Sequence, residues 1–93
     1  MTSAYGLLPA LKTDLGITTE AYDERLAAYL ENAQQAITRE GVTLGDTTED
    51  NTLVLQYAAW TWRARDSGGA MPRMLRWALN NRIFSEHMRE AGT

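Results

Sequence analysis

The sequence predicts an all-α protein, a small bundle of one short helix and three longer ones. Its apolar residues recur at three- and four-residue spacings, which is typical of helices rather than strands. The segments with this spacing are separated by glycine or proline. A chain of 93 residues, 44% hydrophobic and 23% charged, can form one core but not two. We therefore expect a single helical domain over residues 1–93.

The first two helices are predicted in the N-terminal half of the chain. Leucines at mixed spacing predict a short helix from Gly6 to Leu15, and Gly16 is expected to end it. The second helix is predicted to begin at Thr18 as its N-cap and to end before Gly41. Its apolar residues form a single stripe, which predicts one buried and one solvated face: Tyr22, Leu26, Tyr29, Leu30, Ala33 and Ile37.

The third helix is predicted to start at a cap formed by Thr47 or Thr48 and to end at the glycine pair 68–69. Two sides of this helix are apolar: Leu53, Tyr57, Trp60 and Ala64 lie on one, and Leu55, Ala59 and Trp62 lie nearly opposite. Trp60 and Trp62 are two residues apart, so they point in nearly opposite directions and one neighbouring helix cannot bury both. Either the helix lies centrally between two neighbours or Trp62 contacts another chain, and the two interpretations are compatible with each other.

The fourth helix is predicted to begin at or near Pro72 and to end at Gly92. It also carries two apolar stripes, one of Leu75, Leu79 and Ile83 and a second of Trp77, Phe84, Met88 and Ala91. A four-helix chain of this length cannot easily cover both sides of two helices. We therefore expect another protein chain to cover part of this surface.

Charge is distributed unevenly along the chain. Residues 1–51 hold three basic and nine acidic residues, a net charge of −6, whereas residues 52–93 hold six basic and three acidic residues, a net charge of +3. The two halves either attract each other within one subunit, or an acidic flank of one subunit meets a basic flank of the next, as a ring contact requires. The overall charge of −3 argues against a broad basic surface for nucleic acid.

No catalytic or metal-binding motif is apparent. The sequence has no phosphate-binding loop, dinucleotide fingerprint or zinc-protease motif, and it has no cysteine. His87 and Glu90 share a helix face, but two ligands do not complete a metal site. We therefore expect no enzyme, no cofactor and no metal. We also expect no membrane segment, because no apolar run approaches about 20 residues, and no secretory signal.

The order of these features resembles the head-to-tail connector proteins (head completion or adaptor proteins) of long-tailed bacteriophages. The resemblance covers about residues 7–84. It rests on the short leucine helix, the segment ITTEAYDERLAAYLENAQQAI, the helix ending in WTWRAR, a glycine-containing break and the segment MPRMLRWALNNRIF. Trp60 and Arg63 match the aromatic residue and arginine that close the family's central helix, and Pro72 matches the proline that opens the next segment.

This resemblance implies a virion structural protein of the phage neck, made in the host cytoplasm. Such subunits form a closed homo-oligomeric ring, commonly a dodecamer, that docks beneath the portal protein. The ring extends the channel through which double-stranded DNA passes transiently, and it offers a platform to a stopper or tail-completion protein. An acidic subunit suits this role, because a channel that DNA must traverse should not hold phosphates tightly.

We predict that contacts between subunits, or with the portal, use aromatic and cationic residues of the last two helices: Trp62, Arg63, Arg65, Trp77, Arg82 and Phe84. The arginines can pair with carboxylates of a partner. Arg63 and Arg65 have a simpler interpretation, because cations stabilise the C-terminal end of a helix. The alternative function is a small helical DNA-binding or regulatory module in which the arginines of the fourth helix enter a DNA groove; it predicts salt-dependent binding to duplex DNA.

Overall fold

A computed structural model describes the backbone of residues 3–91 and the side chains of residues 3–89. Over this range the chain folds into four helices, α1 (Ala4–Leu15), α2 (Asp23–Arg39), α3 (Thr48–Arg63) and α4 (Arg73–Ala91), and has no β-strand. The predicted all-α class, with one short helix and three longer ones, is confirmed. The predicted stop at Gly92 lies outside the described residues.

One hydrophobic core joins all four helices. Helices α1, α2 and α3 pack against one another, and α4 packs mainly on α3. The largest fully buried side chains come from every helix and from the α2–α3 connection: Leu11, Leu26, Leu30, Ile37, Val42, Val54 and Leu79. Because α3 contacts each of the other helices, it occupies the central position that was one of the two alternatives for a helix with two apolar sides.

Helix α1 has a capping group at each end. The Ser3 side chain accepts a hydrogen bond from the Gly6 amide at 3.2 Å, so the helix begins two residues before the predicted start. Gly16 adopts a left-handed conformation with φ of 71°, and its N–H donates to the carbonyls of Lys12 and Thr13. This is the C-terminal geometry that glycine tolerates best.

The predicted N-cap of α2 at Thr18 is wrong. The helix begins at Asp23, and Tyr22 occupies the cap position without a side-chain hydrogen bond. Upstream, the Thr19 hydroxyl accepts a hydrogen bond from the Ala21 amide at 3.2 Å, forming a local turn that competes with the helix. Lys12 of α1 then pairs with Asp23 at 2.8 Å and fixes the start of α2 against the first helix.

The start of α3 agrees with the sequence, and its end does not. Thr47 is the N-cap, with its hydroxyl accepting a hydrogen bond from the Asp50 amide at 3.1 Å. The helix ends at Arg63, before the predicted glycine pair, and a turn follows in which the Gly68 amide donates to the Ala64 carbonyl at 2.8 Å. Gly68 has a φ of 65°, which explains why glycine is needed at this turn.

Helix α4 begins directly after Pro72, whose carbonyl accepts the Arg76 amide at 3.0 Å. Leu75 and Leu79 are buried against α3, and Ile83 is half-buried. The predicted division of α4 into two apolar stripes therefore corresponds to one stripe in the core and one at the surface.

Candidate contact face

The outer side of α4 carries a row of exposed residues, four apolar and one polar, which we call the α4 stripe: Met74, Trp77, Asn81, Phe84 and Met88. Trp77 is 61% exposed and Phe84 is 66% exposed. Four of the six exposed large hydrophobic side chains among the described residues belong to this stripe. Alternating three- and four-residue steps place all five members on one side of the helix, the spacing with which helices pair.

A groove runs beside the stripe between α3 and α4. It consists of two adjoining concavities of about 760 and 420 Å³ that share Gln56, Trp77 and Ala78. Trp60 forms part of the opposite wall, and its indole Nε1 donates to the Gly69 carbonyl at 3.2 Å. Asp14 and Arg63 line the 760 Å³ concavity, which gives the groove charged groups beside apolar walls.

Trp62, a predicted contact residue, is buried within its own subunit. Its indole is only 6% exposed. Tyr22 and Tyr29 pack edge-on against it, with ring centroids 5.7 and 5.3 Å away, and the Arg65 guanidinium lies 3.9 Å above the ring. Trp62 therefore lacks the exposed surface that a contact with another chain requires. Arg65 is exposed, but its guanidinium covers Trp62 and donates to the Trp62 carbonyl.

Arg82 likewise makes its contacts within the chain. Its guanidinium pairs with Asp50 of α3 and with Glu86 one turn along α4, and it donates to the Thr43 carbonyl at 2.9 Å. Asp50 and Glu86 are only 3% and 5% exposed. Arg82 therefore joins α4 to α3 and to the α2–α3 connection, and this role leaves its charge neutralised rather than available to a partner.

The cluster formed by Asp50, Arg82 and Glu86 shifts the pKa values of Asp50 and Arg82. The hydrogen bond from Arg82 lowers the pKa of Asp50 below its ordinary value of 3.8, assisted by the Gly45 amide and opposed by burial. Asp50 in turn raises the pKa of Arg82 above its ordinary value through the same hydrogen bond. The cluster is thus an ion pair in which both groups stay charged at neutral pH.

The other three predicted contact residues lie at the surface. Trp77 and Phe84 are members of the α4 stripe, and Arg63 is exposed at the groove, where it donates to the Asp14 carbonyl at 3.1 Å. Met74, Asn81 and Trp60 are not among the predicted contact residues. The regular spacing of residues 74, 77, 81, 84 and 88 is a signal that identifies the first two, whereas Trp60 joins the site only through the packing of α3 against α4.

Among the described side chains, no group of three His, Asp or Glu residues is arranged to hold a metal ion. Within that same part of the chain, every helix is too short or too polar to cross a membrane.

Comparisons with protein-family models, with curated proteins and with solved structures gave no significant match.

Proposed function

We propose that this protein is a structural subunit of the bacteriophage neck, a head-to-tail connector that forms a closed ring beneath the portal protein. The ring extends the DNA channel and joins it to the tail or to a stopper protein. The observation that carries the proposal is the α4 stripe, a large apolar surface on a helix whose opposite side is already buried against α3.

The size of this surface supports a role in assembly. Trp77 and Phe84 each expose roughly 100–150 Å², since a buried aromatic side chain covers about 150–250 Å². Met74 and Met88 extend the patch to both ends of the stripe. Contiguous apolar patches of several hundred Å² on small proteins mark surfaces that contact other molecules.

The arginines of α4 favour this proposal over a DNA-binding module. Arg76 pairs with Glu40 at 2.9 Å, and Arg82 is neutralised by Asp50 and Glu86. Two of the four arginines on the helix are therefore occupied by carboxylates of the same chain. A helix that reads a DNA groove needs its cations free for phosphates and bases.

The test is co-expression with the portal protein encoded in the same genome, followed by sedimentation of the purified complex. We expect the chain to sediment with the portal as a ring-sized complex. Replacing both Trp77 and Phe84 by alanine should abolish co-sedimentation, because it removes the apolar centre of the stripe. The Tyr5→Ala variant is the matched control, since Tyr5 is a 65% exposed aromatic on α1.

Sedimentation of the unmodified chain apart from an intact portal, as a monomer or as a dimer, would contradict the proposal. Salt-dependent binding of the same protein to duplex DNA, with no portal complex, would support the DNA-binding alternative.

A further inference from the structure

The α4 stripe is nearly symmetric about Asn81. Met74 and Met88 lie seven residues before and after it, while Trp77 lies four before and Phe84 three after. If two α4 helices run antiparallel with a two-fold axis near Asn81, each methionine faces the opposite methionine of the second copy, and Trp77 lies beside Phe84. A two-fold contact requires this kind of self-complementary surface, because both subunits contribute the same patch.

We propose that, in the free protein, the α4 stripe is covered by the α4 stripe of a second copy, in an antiparallel pair centred on Asn81. This dimer is independent of the proposed docking to a portal. If the chain does dock through the same stripe, the dimer must first separate, so the second copy would protect the surface until docking.

The exposed area supports a second copy as the occupant. The four apolar members of the stripe expose on the order of 400–500 Å², about half of the roughly 800 Å² that each partner buries in a stable complex. The groove along α3, including the half-buried Trp60, lies beside the stripe and adds contact area. One helix laid across the stripe and the groove therefore approaches the area of a stable dimer.

Asn81 fits the centre of such a pair. It is an exposed polar residue within an otherwise apolar row. An asparagine amide both donates and accepts hydrogen bonds, so two copies of Asn81 across a two-fold axis can satisfy each other. In parallel coiled coils a single asparagine in the seam fixes the register, and two Asn81 amides across a two-fold axis can pair in the same way.

Disulfide cross-linking tests both the contact and its register, because the natural chain contains no cysteine. The Asn81→Cys variant should form a disulfide-linked dimer by itself under mild oxidation. Met74→Cys and Met88→Cys should each remain uncross-linked alone but form a mixed disulfide when the two variants are combined. If each of the three variants formed a disulfide-linked dimer on its own, the helices would be parallel and the proposal would be overturned.

Sedimentation equilibrium provides a second measurement without oxidation. Asn81→Asp places two like charges at the symmetry axis and should raise the dimer dissociation constant at least about tenfold. Asn32→Asp, the same change at an exposed position of α2, should leave the constant unchanged. Circular dichroism shows whether both variants are folded. A wild-type protein that remains monomeric at millimolar concentration, or an equal response of the two variants, would overturn the proposal.

Discussion

At the scale of single residues, the Asp50–Arg82–Glu86 cluster is the main polar contact between α4 and the rest of the chain. Two nearly buried carboxylates face one guanidinium, and backbone groups of the α2–α3 connection satisfy the remaining hydrogen bonds: the Gly45 amide donates to Asp50 at 2.6 Å and the Thr43 amide to Glu86 at 3.3 Å. Removing the guanidinium would leave two buried negative charges without a cation. The resulting destabilisation is larger than the net stability that the intact ion pair provides.

We expect Arg82→Met to lower the free energy of unfolding by about 3 kcal/mol, since it leaves the buried carboxylates unpaired while keeping the side chain's apolar length. The measurement is urea denaturation followed by circular dichroism. Arg89→Met is the control, because Arg89 is exposed and should change stability by less than about 0.5 kcal/mol. Equal effects of the two substitutions would show that the cluster does not stabilise the fold.

The lowered pKa of Asp50 predicts acid sensitivity. In the folded protein this carboxyl binds a proton less readily than in the unfolded chain, so its contribution to stability is complete above about pH 3.8 and is lost as the pH falls through its folded pKa. Urea midpoints measured from neutral pH to about pH 3 should therefore decrease on the acid side. The urea midpoint should decrease less with falling pH in Arg82→Met, because this variant lacks the main cause of the lowered Asp50 pKa. An equal decrease in the two proteins would contradict the assignment of this cause to Arg82.

At the scale of the elements, the two predicted threonine caps have different outcomes for a local reason. Both Thr18 and Thr47 precede a run of acidic and apolar residues, which is typical of a helix start. Thr47 caps α3, but at the start of α2 the turn between Thr19 and Ala21 delays the helix to Asp23. Sequence pattern therefore locates both helices, while the hydrogen bonds actually formed decide where each begins.

Thr47→Ala should lower the free energy of unfolding by about 1 kcal/mol, because the Asp50 amide loses its acceptor. Thr18→Ala should have little effect, since Thr18 is exposed outside α2 and does not cap it. Urea denaturation of the two variants provides the comparison. A larger loss of unfolding free energy in Thr18→Ala than in Thr47→Ala would support Thr18 as the N-cap of α2, as the sequence predicts.

At the scale of the whole molecule, α4 is the helix with a buried side and a large exposed apolar side. Leu75 and Leu79 face the core, whereas the α4 stripe faces outward, so neighbouring residues on one helix serve different purposes. The helix is connected to α3 by a turn containing Gly68 and Gly69 and is held by the core leucines and the Arg82 cluster. Stability and assembly are therefore expected to respond to substitutions on opposite sides of the same helix.

Leu79→Ala should lower the free energy of unfolding by about 2–5 kcal/mol, because Leu79 is fully buried and its loss leaves a cavity. Met74→Ala should change the stability of the monomer by less than about 0.5 kcal/mol, since Met74 is exposed, but it should weaken self-association. Thermal denaturation at low concentration and sedimentation equilibrium separate the two effects. Strong destabilisation of the monomer by Met74→Ala would place that side chain in the core.

The sequence by itself determined the all-α class, the four helices and the two apolar stripes of α4, because periodic spacing and glycine or proline breaks are local properties of the chain. It also selected Trp77 and Phe84, which the tertiary structure leaves exposed. Only the tertiary structure decided that Trp62 is buried and that Arg82 is paired within the chain. Of the tyrosines that cover Trp62, Tyr29 belongs to α2 and Tyr22 directly precedes it, and the carboxylate of Asp50 that neutralises Arg82 belongs to α3. Helical spacing shows which side of a helix a residue occupies, but the packing of distant segments determines what covers that side.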